Sequence, residues 1–460
     1  MLKEQVTVKA YGRSTAADRH MRFWANVAAV LVCGYGIFSR TFAYVGIPSM
    51  KVFIGDVTLA LFIVCCTGAI IRPWLAGLLR PTPLSGVYWT LVVFVSYGLL
   101  QLARGLAAGY PPVTAMQDLV FNIYPLYFFV GWWAAVTYPD ILPKIVKFLS
   151  LTSAVYGVVY YLLLRHVNVF LPGTNIPLIV TPSGAMAIVG LPCFVKDLRR
   201  WWPVLAISTF LVLGAQGRAE WLALAAVIGV RSILMGQVSR VVWSGVFVTM
   251  VLGVGFWADV KIPSPAGRGG AISSREIVAR AVAAVDRDAA AEISREHAAF
   301  YAGTVSWRKR WWQAIWVSVH ADAETALLGH GYGYPIHNLV KYLRDAQHDI
   351  RAPHNVFYYA LGYTGWIGVA VFYSFLTALG LMLFHVWRVT GQPFGIVIWV
   401  GSIIGGHFGN NFETPFGAIP MYLMCGMAAA ELLNRAEWIQ KYKERQPGAP
   451  GLRVIDAYAR

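Results

Sequence analysis

Long apolar runs set the first limit on what this chain can fold into. Twelve stretches are long enough to cross the roughly 30 Å hydrocarbon core of a bilayer. They lie at about 22–39, 53–71, 84–103, 119–137, 145–164, 176–195, 201–216, 219–235, 241–258, 355–387, 394–412 and 415–434. With 57% hydrophobic residues, the chain is too apolar for a soluble enzyme. The sequence therefore predicts an all-α polytopic membrane protein with about twelve transmembrane helices.

One long polar stretch interrupts the apolar runs and defines the expected organisation. The predicted parts are a cytoplasmic N-terminal tail at 1–22, transmembrane helices 1–9 at 23–258, one large extracytoplasmic helical loop at 259–353, transmembrane helices 10–12 at 354–434 and a basic cytoplasmic C-terminal tail at 435–460. In the loop, Ser273-x-x-Glu276 is a capping box, and it predicts an amphipathic helix that continues to about Phe300. A second helix is predicted from Trp307 to about Ala326, with a row of tryptophans at the membrane interface.

The basic balance of the chain follows from its expected topology. The formal net charge is +16, and with the N-terminus inside, 21 of the 38 Lys and Arg residues lie in cytoplasmic segments. Five lie in short external segments and 12 in the long loop, which is exempt from the positive-inside rule. Both termini are therefore expected in the cytoplasm. Since no basic groove interleaved with aromatic residues is present, nucleic acid is not expected as a partner.

Fixed cations, a glycine turn and a histidine are collected just before the tenth apolar run. The stretch includes Ser306-Trp307-Arg308-Lys309-Arg310-Trp311-Trp312, Gly329-His330-Gly331-Tyr332-Gly333 and Ala352-Pro353-His354-Asn355. It places positive charge at the N-terminus of a membrane helix, where a phosphate-bearing lipid is a suitable ligand.

These motifs resemble the core of the O-antigen ligase and polymerase superfamily. The resemblance rests on Arg308 followed four positions later by Trp312, the Gly-x-Gly turn, and Pro353-His354-Asn355 leading into a helix that contains Gly365-Trp366-Ile367-Gly368. Gly217-Arg218-Ala219 is similar to the family's arginine at the start of a membrane helix, although Gly217 stands where the family usually has serine.

The resemblance implies an integral-membrane glycosyltransferase of the bacterial inner membrane. Such an enzyme transfers a glycan from undecaprenyl diphosphate to an acceptor sugar hydroxyl on the extracytoplasmic side, in O-antigen or exopolysaccharide assembly. The implied partners are the undecaprenyl-diphosphate-linked glycan donor, a glycan or lipid-linked acceptor, membrane lipids and other proteins of polysaccharide assembly.

A transfer of this kind needs a base for the acceptor hydroxyl and cations for the leaving diphosphate. His354 is the candidate catalytic base, because the positive field at the start of a helix disfavours imidazolium and keeps the ring able to accept a proton. Guanidinium groups bind phosphate oxygens bidentately and stay charged. The predicted substrate-binding residues are Arg218, Arg308, Arg310, Arg351 and Asn355. From position alone, a helix cap is the favoured interpretation of His354 and an interfacial arginine that of Arg218, and the resemblance reverses this preference.

No metal or other cofactor is expected. The external side carries no Asp-x-Asp pair except Asp286-Arg287-Asp288, which reads as the charged face of a helix. The five cysteines all fall inside apolar runs, where small buried hydrophobes are common.

Four functions remain open at the level of sequence, one of which is a non-catalytic partner in polysaccharide assembly. A polymerase passes the glycan to another lipid-linked repeat and is slightly favoured, because a second diphosphate can use the spare cations Arg310, Lys341, Arg344 and Arg351. A ligase passes it to a lipid A core sugar. A non-enzymatic transporter of lipid-linked glycan is disfavoured by the absence of a visible internal repeat in the hydropathy.

Overall fold

Helices make up most of the structure, which is a computed structural model. It describes residues 16–47, 51–65, 83–171, 176–215, 217–258, 260–263, 271–283, 286–294, 298–341 and 352–432. The helices before the long loop are α1 (Ala16–Ala43), α2 (Ile54–Cys65), α3 (Pro83–Ala107), α4 (Pro112–Ile123), α5 (Tyr127–Thr137), α6 (Ile141–Val159), α7 (Ala185–Phe194), α8 (Trp202–Ala215), α9 (Arg218–Leu234) and α10 (Val238–Ala258). Those that follow are α11 (Ser274–Val282), α12 (Arg287–Ile293), α13 (Ala298–Val319), α14 (Ala323–Leu328), α15 (Val356–Thr390), α16 (Phe394–Phe408) and α17 (Pro415–Ala429).

Strand structure is confined, in the described ranges, to two short hairpins and an isolated bridge. Strand β1 (Gly46–Ile47) pairs antiparallel with β2 (Val52–Phe53), and β3 (Ile262–Pro263) pairs antiparallel with β4 (Ala271–Ile272). The isolated bridge joins Phe170 and Pro177.

Among the described residues, six helical stretches are long and apolar enough to cross a membrane. They are Arg19–Ala43, Leu84–Ala107, Pro112–Thr137, Ile141–Leu164, Val241–Ala258 and Val356–Thr390. Shorter apolar helices are Ile54–Cys65, Ala185–Phe194, Phe394–Phe408 and Pro415–Ala429. The predicted all-α membrane architecture is confirmed, while the count of twelve spans and the domain boundaries stay predictions.

The predicted run 176–195 is helical over only half its length. Helix α7 begins at Ala185, and residues 176–184 form an irregular segment. Pro177 and Pro182 lie in this segment, and proline disfavours helix in the residue before it. The Pro177 carbonyl instead accepts a hydrogen bond from Thr41 Oγ1 at 2.8 Å, which joins the segment to α1.

Close contact between α5 and α17 forms the centre of the core. A Cβ on Gly131 would overlap the carbonyl oxygen of Leu423, and one on Gly426 would overlap that of Phe128. Small residues let two membrane helices approach in this way, where packing and not the hydrophobic effect holds helices together.

Helix α15 is sharply bent at Gly365. That residue has φ 64° and ψ −169°, which glycine adopts readily and other residues do not. Phe121 packs on Tyr359 before the bend and on Phe372 after it, with ring centroids at 5.2 and 4.9 Å. In a straight helix Tyr359 and Phe372 would be about 20 Å apart along the axis. The start of α15 therefore folds back beside the part that spans the membrane.

The long loop contains more helices than the sequence pattern suggests. Ser273 Oγ accepts from the Glu276 N–H at 3.1 Å, so this half of the predicted capping box is confirmed. The predicted helix to Phe300 is instead α11 and α12, because Asp286 caps a new helix through the N–H groups of Asp288 and Ala289. The predicted helix from Trp307 begins earlier, at Ala298, and ends at Val319.

Candidate active site

The C-terminal end of α16 lies beside the start of α15, next to two of the predicted site residues. A Cβ built on Gly406 would lie 3.6 Å from Cγ1 of Val356, so the first residue of α15 touches the last turn of α16. His354 and Asn355 immediately precede Val356. We call this end of the helices the site end.

Arg308 reaches the site end from α13. Its Nη1 donates to the carbonyl oxygen of Phe408, the last residue of α16, at 3.4 Å. The last carbonyls of a helix lack intrahelical partners and carry partial negative charge, so a guanidinium is favourable there. The guanidinium also lies over the Trp307 ring, 5.5 Å from its centroid. The fork is thus held between a helix end and an aromatic face.

Helices α9 and α16 run antiparallel, which brings Arg218 to the same end. Near the end of α9, Arg231 Nη2 donates to the Pro192 carbonyl at 2.9 Å. Just before α16, Gln392 Nε2 donates to the Cys193 carbonyl at 3.1 Å. The last turn of α9 and the start of α16 therefore lie together at the opposite end of the molecule.

The position of Arg218 along the helix axes follows from the same pair of helices. Val227 of α9 lies beside Gly401 of α16, where a built Cβ would be 3.1 Å from Cγ2 of Val227. Arg218 precedes Val227 by about 13 Å of helix, and Phe408 follows Gly401 by about 10 Å. Arg218 is the first residue of α9, and the description extends to its backbone only. Its backbone lies within about one helical turn of the depth of Phe408.

His354 has a left-handed backbone, with φ 55°. This conformation is uncommon for a residue that carries a Cβ, and it turns the chain sharply into α15. The Pro353 carbonyl accepts from Trp312 Nε1 at 2.8 Å, and the His354 ring packs edge-on against Trp307 at 5.9 Å. One tryptophan of α13 therefore contacts the ring of the candidate base, and a second binds the residue before it.

Asn355 is the N-cap of α15. Its Oδ1 accepts from the Phe357 N–H at 2.9 Å and from the Tyr358 N–H at 3.4 Å. Because the side-chain oxygen accepts these two hydrogen bonds, the predicted contact with substrate would be made by the amide NH₂ group. This contact stays a prediction.

The remaining predicted cations are not brought to the cluster. Arg310 is exposed, and its Nε donates to the Ser306 carbonyl at 3.5 Å along its own helix. Residues two apart on a helix do not share a face, so Arg310 points away from the direction of Arg308. Arg351 lies outside the described residues.

The glycine turn at 329–333 binds protein and not ligand through its backbone. The His330 N–H donates to the Gly362 carbonyl at 3.0 Å and the Gly331 N–H to that of Tyr363 at 2.9 Å. The Gly333 N–H donates to the buried Asp118 carboxylate at 2.8 Å. These amides dock the turn against α3, α4 and α15.

Glu413 is a candidate functional residue that is not among those predicted from the sequence. It lies in the turn between α16 and α17, and its Oε2 accepts from the Phe412 N–H at 3.1 Å. Its Oε1 is buried and accepts no hydrogen bond within the described part of the chain. Burial raises the pKa of this carboxyl to about 8. A carboxyl in a tight turn between two apolar helices was the available signal.

A tyrosine–histidine pair lies next to this carboxyl. His407 Nδ1 lies 2.7 Å from the Ile403 carbonyl oxygen, which can only accept, so Nδ1 carries a proton. The Tyr373 hydroxyl lies 2.6 Å from Nε2 of the same ring. His407 is in the last turn of α16, and Tyr373 reaches it from α15.

Candidate metal ligands are not clustered in the described ranges. No three His, Cys, Asp or Glu side chains there come close enough to hold one ion. The chemistry that this end of the molecule offers is that of guanidinium, imidazole and a buried carboxyl.

The fold and this cluster define a multi-pass, all-helical membrane protein with cations and a histidine gathered at one end of its helices. Residues 203–373 match the family described as O-antigen ligase. This part of the chain is similar to that family, and the match supports the resemblance that the motifs carry. The matched range contains Arg218, Arg308 and His354, and Glu413 follows it. No curated protein matches the chain.

Proposed function

We propose that this protein transfers a glycan from undecaprenyl diphosphate to an acceptor sugar hydroxyl without a metal ion. The observation that carries the proposal is the meeting of Arg308, the start of α9 at Arg218 and the His354 turn at the end of α16. Glycosyl transfer from a lipid diphosphate needs cations and a base within reach of each other.

His354 acts as the general base. The acceptor hydroxyl gives its proton to the imidazole while its oxygen bonds to the anomeric carbon of the donor. The bond from that carbon to the diphosphate oxygen breaks, and undecaprenyl diphosphate leaves with the electron pair. The left-handed turn and the two flanking tryptophans hold the ring at the mouth of α15.

Arg218 and Arg308 stabilise the leaving diphosphate. Negative charge builds on the diphosphate as the bond breaks, so contacts to fixed cations strengthen in the transition state. Arg308 already binds the Phe408 carbonyl, which limits its motion before the donor arrives. Arginines thus take the part that a divalent cation plays in many other glycosyltransferases.

The site end faces the outside of the bacterial inner membrane, with both termini in the cytoplasm. The distribution of lysine and arginine supports this orientation. It also agrees with the donor chemistry, because nucleotide sugars are absent outside the cell and the glycan must arrive on a lipid.

The decisive experiment is a transfer assay with purified protein, lipid-linked donor and glycan acceptor, with and without excess EDTA. Transfer at equal rates in both conditions is expected. Movement of the donor across a bilayer with no transfer would identify a transporter instead, and activity lost in EDTA and restored by a divalent metal would reveal a metal site.

Among the two transfer reactions, we favour polymerisation over ligation. Beyond Arg218 and Arg308, the loop has further cations that a second lipid diphosphate in the acceptor can use. Loss of the gene is then expected to leave single repeat units on the surface glycan or to abolish an exopolysaccharide. Full-length polymer retained on the carrier lipid, with an uncapped core, would assign a ligase.

A further inference from the structure

A row of large side chains recurs at every fourth residue along α13 and into the turn that follows it. Its members are Arg308, Trp312 and Trp316 of α13 and His320, whose N–H still donates to the Trp316 carbonyl. Residues four apart lie one above another on a helix, with about 6 Å of rise per step. The row is therefore a continuous stripe of about 18 Å.

The stripe begins at the candidate active site. Arg308 binds the Phe408 carbonyl, and Trp312 donates to the carbonyl of Pro353, the residue before His354. From there the stripe leads away from the cation and the base, toward Trp316 and His320. A chain of sugars with its reacting end at His354 would meet these side chains next.

Aromatic residues of α15 widen the stripe into a surface. Tyr358 stacks on Trp312 with ring centroids 5.3 Å apart and planes 9° apart. Trp366 stands perpendicular to Trp316 at 6.0 Å. Phe357 contacts both Tyr358 and Trp366, at 5.2 and 5.8 Å. We call Trp312, Trp316, His320, Tyr358 and Trp366 the aromatic strip.

Internal hydrogen bonds fix the rings of the strip. Trp366 Nε1 donates to His320 Nε2 at 3.1 Å, so the proton of this neutral imidazole is on Nδ1, which donates to the Trp316 carbonyl at 2.8 Å. The indole N–H of Trp312 is likewise bound to Pro353. Interfacial tryptophans typically direct the polar tip of the ring to the wet side. Here the indole N–H groups of Trp312 and Trp366 are bound to protein, so the strip presents ring faces to its surroundings.

The outer part of the strip is accessible. Trp316 is 42% exposed and Trp366 is 37% exposed, and His320 is exposed as well. From Trp312 to His320 the strip extends about 12 Å, long enough for more than one sugar ring. Rigid aromatic rings give contact area at low cost in conformational entropy.

We propose that the aromatic strip is a saccharide-binding subsite that holds the sugar rings adjacent to the reacting end of the glycan. One face of a pyranose ring carries C–H bonds, which are attracted to the negative face of an aromatic ring. The inference rests on the proposed function, because it assigns the strip to the glycan that reacts at His354. Donor and acceptor glycans share this chemistry.

The test compares strip variants with matched tryptophans elsewhere. Trp316→Ala and Trp366→Ala remove ring faces of the strip. Trp243→Ala and Trp257→Ala remove rings of α10 that are 72% and 86% exposed and serve as controls. The probes are oligosaccharides of one to three repeat units, released by mild acid from the lipid-linked glycan of the host strain, with maltotriose as an unrelated saccharide.

The expected result in nanodiscs is a rise of about tenfold in the KM for the two- and three-repeat acceptors in the strip variants, with kcat within about twofold of wild type. A tenfold change corresponds to about 1.4 kcal/mol, within the range for one aromatic contact. Trp316→Phe should restore most of the affinity, and the α10 variants should match wild type. The concentration of the lipid-linked donor is varied in one set of measurements and that of the free acceptor in a second set. The substrate whose KM rises in the strip variants carries the glycan that the strip holds.

Saccharide binding is also measured directly, by tryptophan fluorescence without the donor. If wild type binds the released oligosaccharides but transfers nothing, the proposed reaction fails and the subsite stands. If wild type transfers glycan while the strip and α10 variants have the same KM and oligosaccharide affinity, the subsite is overturned. Reduced retention in the bilayer with unchanged KM would assign the strip to lipid contact.

Discussion

The backbone of His354 lies in the left-handed region, which costs a residue with a Cβ about 1–2 kcal/mol. Among the described residues only Ser39 and Lys51 share this feature without being glycine. Strained residues persist where the surrounding structure holds them, often at functional sites. The sharp turn therefore supports a role for the ring beyond capping, since Asn355 already provides the cap.

His354→Ala and His354→Gly are expected to reduce transfer equally, by about 10²–10⁴-fold, because both remove the base. Donor binding should change little. The two variants differ in backbone strain, and glycine relieves it, so His354→Gly should melt at a higher temperature than His354→Ala. A rate loss that follows the melting temperature, with the glycine variant nearly as active as wild type, would make His354 a structural residue.

Arg308→Lys is expected to weaken donor binding and to slow transfer, because a point charge cannot reproduce a fork that binds a carbonyl and a phosphate together. Removal of a preorganised donor of this kind typically costs about 10²–10³-fold in kcat. Single-turnover rates and donor binding would be measured with Lys309→Ala, an exposed neighbour, as the control. Equal activity of the lysine variant and wild type would show that charge alone is required.

Glu413 gives stability an inverse dependence on pH. Its folded pKa of about 8 exceeds the ordinary value of 4.5, so between these values the folded state holds a proton that the unfolded state has lost. The free energy of unfolding therefore falls as pH rises through this window. Each tenfold difference in proton affinity corresponds to about 1.4 kcal/mol.

Glu413→Gln should accordingly raise the melting temperature at pH 9 and have a smaller effect at pH 5. Thermal melts in detergent at the two pH values measure the difference. The exposed residue Glu324 supplies a control, since Glu324→Gln should shift the melt equally at both. A gain for Glu413→Gln that is independent of pH would mean that the carboxyl is not protonated in the folded protein.

At the scale of elements, hydropathy predicted where helices lie but not where they turn. The run 355–387 was read as one membrane helix, and α15 does cover it. The bend at Gly365 is missing from that reading, because hydropathy records the length of an apolar run and not its direction. For the segment 176–184, hydropathy predicts a helix that is not there, because the residues are apolar but the prolines prevent a helix.

The candidate site was predictable only where a motif carried it. Arg308 and His354 stand in recognisable patterns, and the structure brings their elements to one helix end. Glu413 has no such pattern, and its burial depends on how α16 and α17 meet. The contacts of the glycine turn were not predictable for a similar reason, because the partners of its amides come from helices far away in sequence.

Gly365→Ala is expected to destabilise the protein more than Gly391→Ala. Both residues have positive φ, at 64° and 74°, so alanine is strained at either position. A Cβ at Gly365 would also lie 2.5 Å from the Gly329 N atom, whereas Gly391 has open space around its Cβ position. We expect a loss of about 1 kcal/mol at Gly391 and a further 1–3 kcal/mol at Gly365.

Melting temperatures of the two glycine variants, together with transfer rates, measure this difference. Because the bend positions the start of α15, Gly365→Ala should also lower activity while Gly391→Ala does not. Equal losses of stability would indicate that the 327–329 backbone moves aside without cost.

The orientation of the whole molecule can be tested with two engineered cysteines. Gln313 is exposed on α13 at the site end, and Asp140 is exposed at the opposite end, before α6. In a background with the five native cysteines replaced, a membrane-impermeant maleimide should label Gln313→Cys in intact spheroplasts. Asp140→Cys should react only after the membrane is opened. The reverse pattern would place the site in the cytoplasm and remove the lipid-linked donor from its reach.

The shortness of the α16–α17 hairpin affects the membrane itself. Each helix has 15 residues and extends about 22 Å, against a hydrocarbon core of roughly 30 Å. A bilayer adapts to such a mismatch by thinning locally, at a fraction of a kcal/mol per Å. With both helices crossing the bilayer, as the hydropathy predicts, the membrane surface would be depressed at the turn that follows Phe408. A carrier lipid that diffuses to this hairpin would then lower its headgroup to the depth of the cations, and bilayer thickness would help to determine how often the proposed donor and the protein meet.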